Sequence, residues 1–313
     1  MTQPIRVIVV DDSALMRRVI TGLIEQDPSI QVVATARNGR EAIDLVQELR
    51  PDIVTMDVRM PVMDGLATTE HLMAYCPTPI LVLTASLASH EVDITFKMLG
   101  AGALEVIEKP SGSDAHTLDR TGRALIRRIK VLARVKVVTH LRGRRKLAAQ
   151  EQGDTEIRRH GDRPKTSAPG LPISRSPGLP VVLSPGLDVP LIVIGASTGG
   201  PRVVNELLSN LPGDLRAAVL VVQHIAQGFS AGMAEWLANA SRLPVAVAVE
   251  GQTIRVGEVL IAPDTRDLLI TKERTIHLSD SPLLIQRPSI DISMQAAAEV
   301  FGARAIGVLL TGM

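Results

Sequence analysis

The sequence predicts an α/β protein: a doubly wound five-stranded parallel sheet linked to a second doubly wound α/β domain. Three observations predict it. Short apolar runs alternate with amphipathic stretches from Ile5 to about Ala133, and again from Leu191 onward. A segment rich in Pro and Gly separates the two parts. In each part, residues that carry chemistry stand directly after the apolar runs, where the carboxyl edge of a parallel sheet falls.

The first five runs are Ile5–Val10, Gln31–Ala36, Asp52–Asp57, Pro79–Ala85 and Glu105–Lys109. Their lengths read as strands, and the stretches between them as helices. In Gly39–Leu49, for example, Ala42, Ile43, Leu45, Val46 and Leu49 recur at helical spacing. Composition then changes. Arg134 to Lys165 carries ten Lys/Arg against four Asp/Glu. With no aromatic interleaved for stacking on bases, this reads as a solvated helix end and linker rather than a nucleic-acid arm. Pro-Gly-Leu recurs at 169–171, 177–179 and 185–187, too short a period for a folded repeat. As a coil, the ~55 residues of this linker would span roughly 40 Å. From Leu191 the strand–helix alternation resumes. Strands are expected at Leu191–Ile194, Ala217–Val222, Val245–Val249, Glu258–Ile261, Leu268–Thr271 and Ala305–Leu310, with helices at 201–210, 230–240 and near 292–301. The domain boundaries are therefore 1–133, a basic then Pro/Gly-rich linker over 134–189, and 190–313.

At 313 residues the chain can bury two cores. A net charge of +1 gives no global pull toward nucleic acid or membrane. Cys76 is the only cysteine, so internal disulfides are excluded and a reducing compartment is expected. Acidic residues come too early for a signal peptide, and no apolar run approaches the ~20 residues of a membrane span. A cytoplasmic protein without membrane insertion or nucleic-acid partner is expected.

Placing residues at strand ends yields a first candidate site. Asp11 and Asp12 follow the first run, Asp57 ends the third, Thr84 lies at the end of the fourth, and Lys109-Pro110 closes the fifth. Three carboxylates at one sheet edge repel unless a hard cation and a lysine compensate. Mg²⁺ held by Asp11, Asp12 and Asp57, with Lys109 beside it, would screen an incoming phosphoryl group so that Asp57 could attack it. Other histidines and methionines of this region, among them His71, His90, His116, Met16, Met56, Met60 and Met63, read as packing or loop residues.

The second candidate site begins at Gly195-Ala196-Ser197-Thr198-Gly199-Gly200-Pro201, an apolar run ending in a glycine turn with Pro201 placed to start a helix. Such a turn can bind phosphate, cap a helix or hold a nucleophile. The next apolar run ends in His224. Neighbouring parallel strands would bring Ser197 and His224 to the same edge, the pairing that a serine nucleophile needs.

Residues 1–133 resemble the response-regulator receiver domain. They carry its acidic pair at Asp11-Asp12, its phosphoacceptor context Met56-Asp57-Val58-Arg59-Met60-Pro61-Val62-Met63-Asp64-Gly65, its switch residue at Thr84 and its lysine-proline pair at Lys109-Pro110, where the family has a cis peptide. Val106 stands where the family's switch usually has an aromatic. Residues 190–313 resemble the catalytic domain of the chemotaxis protein-glutamate methylesterases, the CheB family. The matching stretches are Gly195–Pro201, Val222-Gln223-His224 with Gly228-Phe229, Leu260–Pro263, Arg287–Asp291 and Gly307–Met313. Asp267 departs from a common histidine.

The resemblance implies hydrolysis of glutamate γ-methyl esters on chemoreceptor signalling helices, with deamidation of glutamines as related acyl chemistry. It further implies a chemotaxis histidine kinase as phosphodonor, Ser197 as nucleophile and His224 as its base. Oxyanion and supporting contacts would come from backbone near the serine and from Thr198 and Met313. The unphosphorylated receiver would cover the Ser197 cleft. The family's triad aspartate follows its threonine-glycine-methionine motif by three residues, and the sequence stops at Met313, so an incomplete C-terminus is expected. Asp280 and Asp291 are other carboxylates, neither at the triad position. The alternative is a catalytically inactive regulator competing for phosphoryl groups or receptors. A transcription factor would need a helix-turn-helix after the linker, and none is visible.

Overall fold

The computed structural model describes residues 3–85, 89–110, 115–137, 190–280 and 287–311. Most of the expected linker, 138–189, lies outside them, as does Met313. The N-terminal unit alternates β1 (Ile5–Val10), α1 (Ala14–Ile24), β2 (Ile30–Ala36), α2 (Gly39–Leu49), β3 (Ile53–Asp57), α3 (Gly65–Tyr75), β4 (Ile80–Thr84), α4 (Ser89–Ala101), β5 (Glu105–Glu108) and α5 (Ala115–Leu132). Its strands are all parallel in the order β2-β1-β3-β4-β5, so the winding reverses between β1 and β3, where ligands of such sheets bind. Every residue of β3 and β4 is buried, which is why these strands read as continuous apolar runs. Ser13, Asn38 and Asp64 accept backbone N–H bonds as caps of α1, α2 and α3, which sets where those helices begin.

The C-terminal unit runs β6 (Leu191–Ala196), α6 (Gly200–Asn210), β7 (Ala218–Gln223), α7 (Ser230–Ala240), β8 (Val245–Val247), β9 (Val259–Ile261), β10 (Asp267–Ile270), β11 (Ile276–Ser279), α8 (Ile290–Phe301) and β12 (Ala305–Thr311). Five strands form a parallel sheet in the order β12-β6-β7-β9-β8, and β10 and β11 form a separate antiparallel hairpin. The strand β11 is absent from the sequence expectation, because four residues of alternating burial make too short a pattern.

The end of β6 differs from expectation. Gly195 and Ala196 continue the strand opposite Val222 and Gln223, instead of opening the turn. Gly195 is there for packing: a Cβ would sit 2.4 Å from Ile290 Cγ2, so only glycine lets α8 approach the strand. The left-handed turn residue is Gly199, with φ 73°. Among the described residues the cis peptide is Arg287–Pro288, and Lys109–Pro110 is not cis.

The two units meet. Helix α4 packs on α6 and α7, and one apolar core runs from β3–β4 of the first sheet to β6–β7 of the second. Phe96, fully buried on α4, stacks on Trp236 (centroids 5.5 Å, 22°) and meets Phe229 edge-on (6.1 Å, 72°). The chain has one Trp and three Phe, and this contact uses the Trp and two of the Phe. Among the described residues no helix is long and apolar enough to cross a membrane.

Candidate active sites

The first site forms at the carboxyl edge of the N-terminal sheet. Val10 pairs with Met56, so the residues that follow, Asp11 and Asp57, stand side by side. Both are buried and Asp12 is exposed, yet the three carboxylates each offer an oxygen within 4.8 Å of the others. Lys109 Nζ reaches Asp11 Oδ2 at 2.7 Å and Asp57 Oδ1 at 2.8 Å. Its backbone N–H donates to Thr84 O at 2.7 Å, which extends the β4–β5 ladder and places the buried Thr84 beside it. Arg17 donates to the carbonyls of Asp11 and Asp12 and holds their loop. Gly65 is required at the start of α3, since a Cβ there would lie 2.1 Å from Asp57 O.

Burial pushes the Asp57 carboxyl up; Lys109 pulls it down, and the Asp11 charge pushes it up again. Burial alone would lower Lys109, but its hydrogen bonds to Asp11 and Asp57 outweigh that and hold it above the ordinary lysine range. Three carboxylates against one lysine leave an excess of two negative charges. An all-oxygen set carrying that excess fits a hard divalent cation such as Mg²⁺. His71 packs on Tyr75, Met56 and Met60 are buried in the core, and the side chains of His90 and His116 lie outside the described residues.

The second site forms at the matching edge of the C-terminal sheet. Ala196 and Gln223 are opposite each other in register, so Ser197 and His224 leave adjacent strands together. Ser197 N–H donates to Thr311 O at 2.9 Å and His224 N–H to Ala196 O at 3.0 Å. These bonds bring His224 Nδ1 to 3.2 Å from Ser197 Oγ. Burial first, then the Arg128 guanidinium, lower the imidazole below its ordinary range; the Pro288 carbonyl and Asp291 oppose this. Pro288 does so without meeting hydrogen-bond geometry, and His224 Nε2 is buried with no hydrogen-bond partner among the described residues. Asp280 is committed to Arg266 at 2.8 Å, and Asp291 is exposed in the first turn of α8. Thr198 lines the cleft without a hydrogen bond to His224.

The other wall of this cleft comes from the N-terminal unit. Leu99, Leu104, Glu105, Val106 and Arg128 face Ser197, Thr198 and His224. Leu104 O accepts the Gly199 N–H at 3.0 Å, at the open N-terminus of α6, where no side chain caps the helix. About 20 Å³ of space remains beside the pair, room for little more than one water. Val106, the residue at the switch position, is itself part of this wall. Sequence reading placed Ser197 and His224, and the family resemblance implied a receiver over their cleft, but the residues of this wall were not named, because nothing in the β4–α5 segment marks which distant surface it will meet.

One sheet carries an acid–lysine cluster, the other a serine–histidine pair, and a face of the first closes the second. Together they define a class: a parallel α/β unit carrying a serine–histidine pair, joined to a receiver-type unit. The family model for the CheB methylesterase matches residues 192–313, and that for the response regulator receiver domain matches 7–118. Protein-glutamate methylesterase/protein-glutamine glutaminase 2 of Anaeromyxobacter dehalogenans is 41% identical over 312 residues, covering 99% of this chain and 81% of that protein. Protein-glutamate methylesterase/protein-glutamine glutaminase 1 of Syntrophus aciditrophicus is 38% identical over 310 residues, covering 99% and 82%. The Thermotoga maritima CheB methylesterase catalytic domain is 35% identical, with a TM-score of 0.39 over 41% of this chain and 69% of that one. The chain belongs to the protein-glutamate methylesterase/protein-glutamine glutaminase (CheB) family.

Proposed function

We propose that this chain hydrolyses glutamate γ-methyl esters, and deamidates glutamines, on chemoreceptor signalling helices, under control of phosphorylation at Asp57. The observation that carries the reading is the contact of Ser197 Oγ with His224 Nδ1 at the ends of adjacent strands. Ser197 Oγ attacks the ester carbonyl carbon while His224 Nδ1 takes its proton. The tetrahedral intermediate collapses, the C–O bond to the methoxy group breaks, and His224 returns the proton so that methanol leaves. Water then attacks the acyl-serine, His224 again takes the proton and delivers it to Ser197 Oγ, and the free glutamate side chain departs. With glutamine the leaving group is ammonia. Backbone N–H groups at the start of α6, that of Gly199 among them, are the supporting donors for the oxyanion on this reading, with Thr198 beside them and Met313 outside the described residues.

Asp57 Oδ1 is occupied by the Val58 N–H and Lys109, which leaves Oδ2 to attack phosphorus. The new O–P bond forms as the donor's P–N bond breaks and the imidazole of the histidine kinase keeps the electron pair. Mg²⁺ would be held by Asp11, Asp12 and Asp57, and when bound it supplies charge screening for the phosphoryl oxygens. Lys109 holds the carboxylates in place, and Thr84 is the neighbouring hydroxyl.

Residues 1–133 are the receiver, 134–189 the connection and 190–313 the catalytic domain on this reading. Occlusion supplies the regulation: the receiver wall fills the cleft, and the Leu104 carbonyl occupies the Gly199 N–H that a substrate carbonyl oxygen would use. The test is methanol release from methylated receptor with Mg²⁺ and a small phosphodonor. The full chain should be activated by the phosphodonor, Asp57→Asn should not respond, and Ser197→Ala should lose at least about 10³-fold. Full activity in Ser197→Ala would sink the esterase reading, and full activation of Asp57→Asn would sink the phosphoacceptor assignment.

A further inference from the structure

We infer that Gln223 is a positioning residue of the hydrolase, tying the nucleophile turn to the histidine loop through one buried amide; the inference rests on Ser197 and His224 being the reacting pair. Gln223 is the last residue of β7 and is 1% exposed. Its Nε2 donates to Ser197 O at 2.8 Å and to His224 O at 2.8 Å. Both acceptors are carbonyl oxygens, so only the NH₂ end of the amide can face them, and both of its hydrogens are used. The two carbonyls belong to the two residues whose side chains react. Holding them orients both main chains, and with them the Cα–Cβ directions that set the Oγ–Nδ1 distance. Gln223 itself touches neither reacting atom, so it acts through Ser197 and His224.

Two further facts separate this role from ordinary core packing. Gln223 Oε1 is buried with no hydrogen-bond partner among the described residues, a costly arrangement for an amide oxygen. The amide is thus held through its NH₂ end, toward the two site carbonyls. The turn is also shaped around the amide: a Cβ at position 200 would lie 2.1 Å from Gln223 Oε1 and 2.9 Å from its amide carbon. Gly200 lies in α6 and is not left-handed, so its glycine is explained by room for this side chain and for Ala196, whose Cβ is 2.8 Å away.

The experiment is the rate of covalent labelling of Ser197 by a small fluorophosphonate, measured on the full, phosphodonor-activated chain. Gln223→Met keeps the length and removes the donors. Its limiting rate should fall on the order of 100-fold, with the probe concentration at half-maximal rate unchanged and one label still bound per chain. Gly200→Ala should give a loss of the same kind. In a Gln223→Ala background the added methyl no longer meets the amide and meets only Ala196 Cβ, so the loss from Gly200→Ala should shrink without vanishing. A Gln223→Met chain that labels at the parent rate would overturn the role, and so would a Gly200→Ala loss as large in the Gln223→Ala background as in the parent. That second comparison stands even where Gln223→Met fails to fold. Labelling that persists in Ser197→Ala would overturn the nucleophile assignment and the inference with it. Labelling that depends on Ser197 but ignores residues 200 and 223 would overturn only the inference.

Discussion

His224 lies between opposing charges from two halves of the chain. Arg128 comes from the receiver wall, pairs with Glu105 at 3.1 Å and lines the same cleft; its charge lowers the imidazole pKa after burial has done so. A lower pKa keeps the ring neutral, and so able to act as a base, to lower pH. On the proposed mechanism it also destabilises the imidazolium that would form as Ser197 attacks. Docking therefore opposes the reaction electrostatically as well as sterically. Arg128→Ala removes one of the two lowering influences, so the His224 pKa should rise. The acid limb of fluorophosphonate labelling in the unphosphorylated chain should then move to higher pH. Arg128 is half exposed, so the displacement should shrink as salt is raised. An unmoved acid limb at low salt would show that the guanidinium is not felt at the ring.

Helix α4 carries the contact between the units. Its Phe96 is fully buried only because Trp236 and Phe229 of α7 and the loop before it complete its surroundings. Gly100, one turn along the same face, brings the helix close enough that a Cβ would lie 3.3 Å from Trp236 Cζ2. Stacked aromatic pairs contribute about 0.5–1.5 kcal/mol beyond the area they bury. Trp236→Ala should therefore raise the methanol-release activity of the unphosphorylated chain about 2- to 10-fold. It should leave the phosphorylated chain nearly unchanged, because an undocked receiver no longer uses the stack. Equal effects in both states would place Trp236 in catalysis or folding rather than docking.

For the whole molecule, the question is whether the two units stay docked. The shared core and the Gly199–Leu104 bond favour the closed arrangement, and the connection between the units sets how often they meet. Short flexible connections give effective concentrations near mM, and longer ones give less. Cleavage within 138–189 turns docking into a bimolecular encounter. On diluting the cleaved, unphosphorylated mixture the inhibition should weaken, and added receiver half should restore it. Inhibition that survives cleavage at nanomolar protein would mean that the interface alone holds the units together.

Much of both candidate sites was legible in the sequence, and the reason is geometric. Parallel strands deliver their last residues to one edge, so apolar runs ending in Asp11, Asp57, Lys109, Ser197 and His224 were enough to pair those residues before any contact was seen. The alternation of runs likewise determined both sheets, apart from the hairpin strand β11 and shifts of a residue or two at strand ends. Only the tertiary structure decided what lies across from these edges. Gly195, read as part of a turn, is a strand residue kept small by Ile290. Gln223, read only as part of a family motif, bridges two carbonyls. Leu104, Arg128 and Phe96, unremarkable in sequence, form the wall and stack that close the cleft. Periodicity reports which face of an element is apolar; which distant face it meets depends on shape complementarity between folded surfaces, and that has no local signature in the chain.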